Sequence, residues 1–120
     1  MAEANDYKTG TLLYVITLIR DNRPSTENME LEWSRDISTR GKTICLTLEE
    51  AKLIVENNVV DLSEEGYYNY VVIEEIKSSW IPCLVENEVW YKWEGGKYHG
   101  KYIEISKPKR YKHTCNFGIG

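Results

Sequence analysis

The stretch TLEEAKLIVENNVVDLSEEGYYNYVVIEEI, Thr47 to Ile76, decides the fold. Thr47, with Glu50 three residues later, is the reciprocal capping-box pattern that opens a helix. Leu48, Ala51, Ile54, Val55 and Val59 then recur at helical spacing, while Glu49, Lys52 and Glu56 fall on the opposite side. Asn57 and Asn58 close the helix, because asparagine tolerates the left-handed conformation of helix ends. Asp61 to Gly66 read as an acidic turn and Tyr67 to Ile76 as an aromatic-rich strand. In that strand Tyr68, Tyr70 and Val72 alternate with Asn69, Val71 and Ile73, so both of its faces need cover.

Upstream, Thr11 to Arg20 carries Leu12, Tyr14, Ile16 and Leu18 on one side and Leu13, Val15 and Ile19 on the other. This is the signature of an interior strand. Asp21 to Asp36 is polar and contains Pro24, Ser25 and Asn28, which predicts a long loop with room for a short strand near Trp33. Thr39 to Leu46 reads as a second strand. Downstream, a bend around Ser78, Ser79 and Pro82 precedes two strands, Glu88 to Trp93 and Tyr98 to Ile105, which flank the hairpin signal Gly95-Gly96. With no repeat and no linker, the 120 residues form one α+β domain, 1–120, with a mainly antiparallel sheet of about five strands and one main helix packed on it. Residues 1–10 form a loose N-terminal arm and 106–120 a basic, irregular tail.

One helix of about three turns covers one face of such a sheet only in part. Tyr14, Ile16, Tyr70, Val72 and the Trp90/Trp93 strand still require cover, and a second copy of the chain is the economical source. A homodimer or higher homo-oligomer is therefore expected.

Composition narrows the function classes. Three cysteines without CxxC spacing suggest reduced thiols in the cytoplasm, and the polar N-terminus lacks the apolar core of a signal peptide. The longest apolar run is too short to cross a bilayer, so no membrane association is expected. Charge is divided: residues 44–91 hold two cations against ten carboxylates, and residues 92–113 hold seven against two. The second stretch interleaves its lysines with Trp93, Tyr98, Tyr102 and Tyr111, a pattern suited to phosphates and bases but equally to a solvated hairpin. The net charge of −4 argues against nucleic acid.

Enzyme chemistry finds little support. His113 and Cys115 lie close together and His99 is nearby, but no fourth metal ligand has convincing spacing. Cys83 beside Pro82 reads as a buried thiol, and neither histidine has a triad partner. Glu74 and Glu75 point to opposite faces of a strand and cannot act as a carboxylate pair. No phosphate loop or dinucleotide fingerprint occurs. No catalytic residue, metal or cofactor is assigned.

The strings Arg40-Gly41-Lys42-Thr43, Thr47 to Ala51, Val55 to Asn58, Asp61-Leu62, Tyr67 to Tyr70 and Val72 to Glu74, with the ending Asn116 to Gly120, resemble a family of small bacterial and phage proteins. It is identified as the family of the phage Thoeris anti-defence sponges, which sequester cyclic ADP-ribose signals of bacterial immunity without cleaving them. The resemblance spans about two thirds of the chain, and it implies a homo-oligomer with pockets where subunits meet, acting in the host cytoplasm. On this reading Arg40 and Arg110 contact phosphates, with Arg23 on the long loop as a further phosphate ligand. Trp90 or Tyr91 stacks on the base and Asn116 reads it by hydrogen bonding. A pre-formed pocket closed by the basic tail supplies the slow release that sequestration needs. The alternative is an immunity or antitoxin-type protein whose acidic face, 44–91, caps a basic protein partner.

Overall fold

Strand β1 (Thr11–Asp21) occupies the position its two-faced apolar pattern demands, bonded on both edges inside a five-stranded antiparallel sheet. The computed structural model describes residues 11–22, 37–78 and 85–111. Along the chain follow β2 (Ile37–Cys45), helix α1 (Leu48–Glu56), β3 (Tyr70–Ser78), β4 (Val85–Gly95), β5 (Gly100–Ile105) and a 3-10 turn, Lys109–Tyr111. The sheet order is β2-β1-β3-β4-β5. β2 and β3 both run antiparallel to β1, so β2-α1-β3 is a split β-α-β unit with β1 between its strands. The expected α+β architecture is what forms. The N-terminal arm, the short strand near Trp33 and the bend at Ser79 and Pro82 fall outside the described residues.

Local chemistry sets the helix ends. The Thr47 hydroxyl accepts the Glu50 amide at 3.2 Å, capping the N-terminus. At the other end the Asn58 amide donates to the Val55 carbonyl and the Val59 amide to the Ile54 carbonyl, both at 3.1 Å, with Asn58 left-handed at φ 46°. That bond pair is a Schellman closure with asparagine in the position usually given to glycine. Val59, placed on the helix by its spacing, instead lies just beyond it.

The sheet has two dissimilar sides. On one, Ala51 and Val55 of α1 cover Tyr14, Ile16, Leu18, Val71, Ile73, Tyr91 and Tyr102. On the other, Ile19, Ile37, Tyr70, Val72, Trp90 and Tyr111 form a second cluster. Tyr14 and Ile16 thus belong under the helix, and Trp90 and Trp93 are on opposite sides of β4. Tyr70, Val72 and Trp90, which the sequence leaves in need of a second copy, are buried within the single chain. Tyr111 supplies part of that cover: its ring stacks on Trp90 with centroids 5.1 Å apart and planes 11° from parallel. The apolar surface that motivated a dimer is therefore already covered at these residues. No helix among the described residues is long and apolar enough to cross a membrane.

Candidate functional site

Between α1 and β3 the chain makes a turn that sequence pattern alone does not foretell in detail. Val60, Asp61, Glu64, Glu65 and Gly66 all have positive φ. Such a run is costly for side-chain-bearing residues, most of all for β-branched Val60. Side chains hold it in place. The Asp61 carboxylate accepts the Glu65 amide at 3.0 Å, the Asn58 side-chain carbonyl accepts the Ser63 amide at 2.8 Å, and the Ser63 hydroxyl accepts the Gly66 amide at 3.0 Å. Ser63 and Leu62 are buried beneath.

This turn faces the tip of the β4–β5 hairpin across an open cleft of about 480 Å³. Its walls carry Arg20, Tyr67 and Trp93, and its rim Glu64, Glu65 and Lys97. Arg20, near the end of β1, donates from Nη1 to the Tyr67 carbonyl at 2.9 Å and holds its guanidinium carbon 5.1 Å from the centre of the Tyr67 ring. Its buried Nε has no hydrogen-bond partner among the described residues. A guanidinium against an aromatic face is a stable cation–π arrangement that keeps its charge available to an anion. Tyr67 itself is 51% exposed.

Trp93 is held from three sides. Its indole N–H donates to the Gly96 carbonyl at 3.2 Å, and its ring meets Tyr102 edge-on at 5.0 Å. It also lies against Gly66 and Gly100: a Cβ on Gly66 would stand 2.7 Å from the indole nitrogen, and one on Gly100 2.4 Å from the ring. Only glycine at those two positions leaves the ring where it is, and Gly66 also needs its φ of 81°.

Two exposed ion pairs span the rim. Glu65 meets Lys97 at 3.3 Å, joining the turn to the hairpin, and Glu64 meets Arg40 of β2 at 3.2 Å. Lys97 also lies 5.4 Å from the centre of the Tyr98 ring. Arg40 pairs with Leu18 and Ser38 with Arg20 across β1 and β2, so Arg20 and Arg40 are diagonal neighbours on the helix side.

The residues assigned from sequence do not converge. Arg40 stands beside the cleft through Glu64. Trp90, 2% exposed, is in the core on the far side. Tyr91 is buried under α1, where its hydroxyl donates to Glu56 at 2.7 Å; burial, with that carboxylate, pushes its pKa far above the ordinary tyrosine value. Arg110 is buried on the far side, Nη1 3.1 Å from the Asp21 carboxylate, which also accepts the Tyr111 hydroxyl. Arg40 and Arg110 are thus on opposite sides of the sheet. Arg23 and Asn116 fall outside the described residues. No group of three or more metal-ligating side chains occurs among the described residues, and buried Cys45 has its thiol pKa raised by burial and by Glu50.

Arg20 and Tyr67 have no assigned role in the sequence, and the acidic turn has only the partner-capping role of the 44–91 face. Trp93 and Lys97 carried a signal in the basic–aromatic alternation of 92–113, and Arg20 in its place at a strand end. What was missing is the pairing that brings β1, the turn and the hairpin together. No protein-family model matches the chain, and no curated protein and no solved structure matches it.

Proposed function

We propose that the protein is a non-catalytic binding protein that captures a small cyclic nucleotide signal of the cyclic ADP-ribose type, and so blocks host anti-phage defence. The observation that carries this reading is the cleft wall on which the Arg20 guanidinium lies over Tyr67 beside Trp93. A nucleotide needs a cation for phosphate and a flat ring for its base, and both are present within one concave surface. Lys97 in the cleft lining, and Arg40 beside it through Glu64, add positive charge near a bound anion. The resemblance to the sponge family points to the ligand class, and the cation and rings of the cleft are compatible with it. Capture asks for contact, not turnover, so no side chain need act as base or nucleophile. Mass spectrometry of small molecules released by heating the purified protein tests the reading. A cyclic ADP-ribose isomer is the expected species, and only protein-derived peptides would speak against it.

A second reading is favoured by the outer face of α1. Leu53 is 60% exposed there, with Glu49, Glu50 and Glu56 around it, and the last turn has no basic residue. An apolar centre in an acidic rim suits a basic protein partner, as an immunity or antitoxin-type protein requires. Salt-sensitive co-purification with such a partner and no bound nucleotide would select this reading over the first.

A further inference from the structure

We propose that the outer edge of β2 is a docking strand for an extended acidic segment of a partner protein, which adds to the sheet beside β2 through main-chain hydrogen bonds.

β2 stands at one end of the strand order and is bonded, among the described strands, to β1 alone. Such an edge turns a row of backbone N–H and C=O groups toward water. β2 is also bare on both faces: Ser38 to Ile44 are exposed without interruption, and burial returns only at its end residues, Ile37 and Cys45. The strand at the other end of the order differs. β5 is shorter, its Tyr102 is buried, and Lys52 of α1 reaches across to its Glu104 at 3.3 Å. An extended segment laid along β2 gains affinity from main-chain bonds, while neighbouring side chains decide which segment fits.

Charge names the occupant. Ile37–Cys45 reads ISTRGKTIC, with two cations and no carboxylate. The Arg40 pair with Glu64 is exposed on both partners, 58% and 49%, so an incoming carboxylate can compete for the guanidinium. Lys42 makes no ion pair among the described residues. Opposite charges facing each other across a strand pair stabilise it, and like charges destabilise it. A second copy of β2 therefore fits badly, because a two-fold axis near the middle of the strand brings Arg40 and Lys42 of both copies together. A β-bulge adds to this obstacle. Ile16 pairs with Thr43 and Thr17 with Gly41, which leaves Lys42 as the extra residue and twists the edge away from flat self-pairing. An acidic segment of about six residues avoids the repulsion and follows the twist more readily than a second long strand. This surface is separate from the cleft and opposite in charge to the outer face of α1.

The test follows amide exchange and calorimetry of the full chain with a capped peptide of about eight residues that alternates glutamate with threonine. Binding is expected to protect amides within 38–44, and to be at least tenfold tighter than binding of the lysine counterpart or of the same peptide N-methylated throughout. The double variant Arg40→Glu with Lys42→Glu is expected to reverse the preference toward the lysine peptide. No new protection in β2, or equal affinity for the two charge types in the unaltered protein, overturns the proposal. Undiminished binding of the N-methylated peptide reduces the contact to charge alone and overturns strand addition. Protection of β2 that rises with protein concentration in the absence of peptide gives the edge to a second copy, and likewise overturns it.

Discussion

Arg110 and Asp21, 89 residues apart in sequence, meet in an ion pair of 3.1 Å that is almost wholly withdrawn from water. The Tyr111 hydroxyl donates to the same carboxylate oxygen. Asp21 is also clamped through its backbone, donating its N–H to the Asn69 side chain and accepting the Asn69 amide, each at 2.9 Å. One residue at the end of β1 thereby ties the start of β3 and the 3-10 turn to the sheet.

Arg110→Ala takes the guanidinium away from a buried carboxylate and is expected to cost about 3–5 kcal/mol, read from urea unfolding. The pair lies on the side away from the cleft. Nucleotide affinity of the folded variant is therefore expected to stay within twofold of the parent. A large loss of affinity in protein that is still folded would return Arg110 to the binding site.

Tyrosines govern stability at high pH. Tyr91, Tyr102 and Tyr111 all have pKa values raised well above the ordinary value, chiefly by burial; hydrogen bonds to Glu56 and Asp21 add to this at Tyr91 and Tyr111. The folded chain holds these protons where the unfolded chain releases them, above pH ~10. Their contribution is fully present below that value and falls away as pH rises beyond it. Denaturant midpoints should be insensitive to these groups between pH 7 and 9 and then decline, with tyrosinate absorbance appearing only as the protein unfolds. Tyr102→Phe, which removes a 2.7 Å bond to the Tyr68 carbonyl, is expected to cost about 1–3 kcal/mol.

Gly100→Ala tests whether Trp93 must sit where it does. The added methyl would stand 2.4 Å from the indole ring, so ring or strand has to move. The expected cost is about 1–3 kcal/mol, with a changed near-ultraviolet signal and weakened nucleotide binding. Unaltered binding would remove Trp93 from the recognition surface.

Thr47→Ala isolates the helix cap. Loss of the hydroxyl that accepts the Glu50 amide should lower stability by about 1 kcal/mol without touching the cleft. A change in ligand affinity comparable to that of the Gly100 variant would contradict this separation.

Elements with local signals were legible in the sequence. Thr47 and Glu50, Asn57 and Asn58, and Gly95-Gly96 each declare a boundary through bonds made within a few residues. The two-faced strands were legible too, because apolar residues on both sides leave no room for an edge position. Trp90 and Tyr91 show where reading stops. Their neighbouring aromatic rings suggest a shared surface, yet adjacent strand residues point apart, and both are core. Arg110 reads as a tail cation until Asp21 is found beside it, and nothing local announces that pairing. The cleft depends on register: β1 must end beside the acidic turn, and β4 must carry Trp93 to Gly66.

Titration calorimetry with cyclic ADP-ribose isomers, run on the unaltered protein and on Arg20→Ala, most directly tests capture in the Tyr67–Trp93 cleft. Tight binding to at least one isomer, weakened tenfold or more by loss of the guanidinium, is the predicted result. Absence of binding in the parent, or equal binding in both proteins, would contradict the assignment of this cleft as the site.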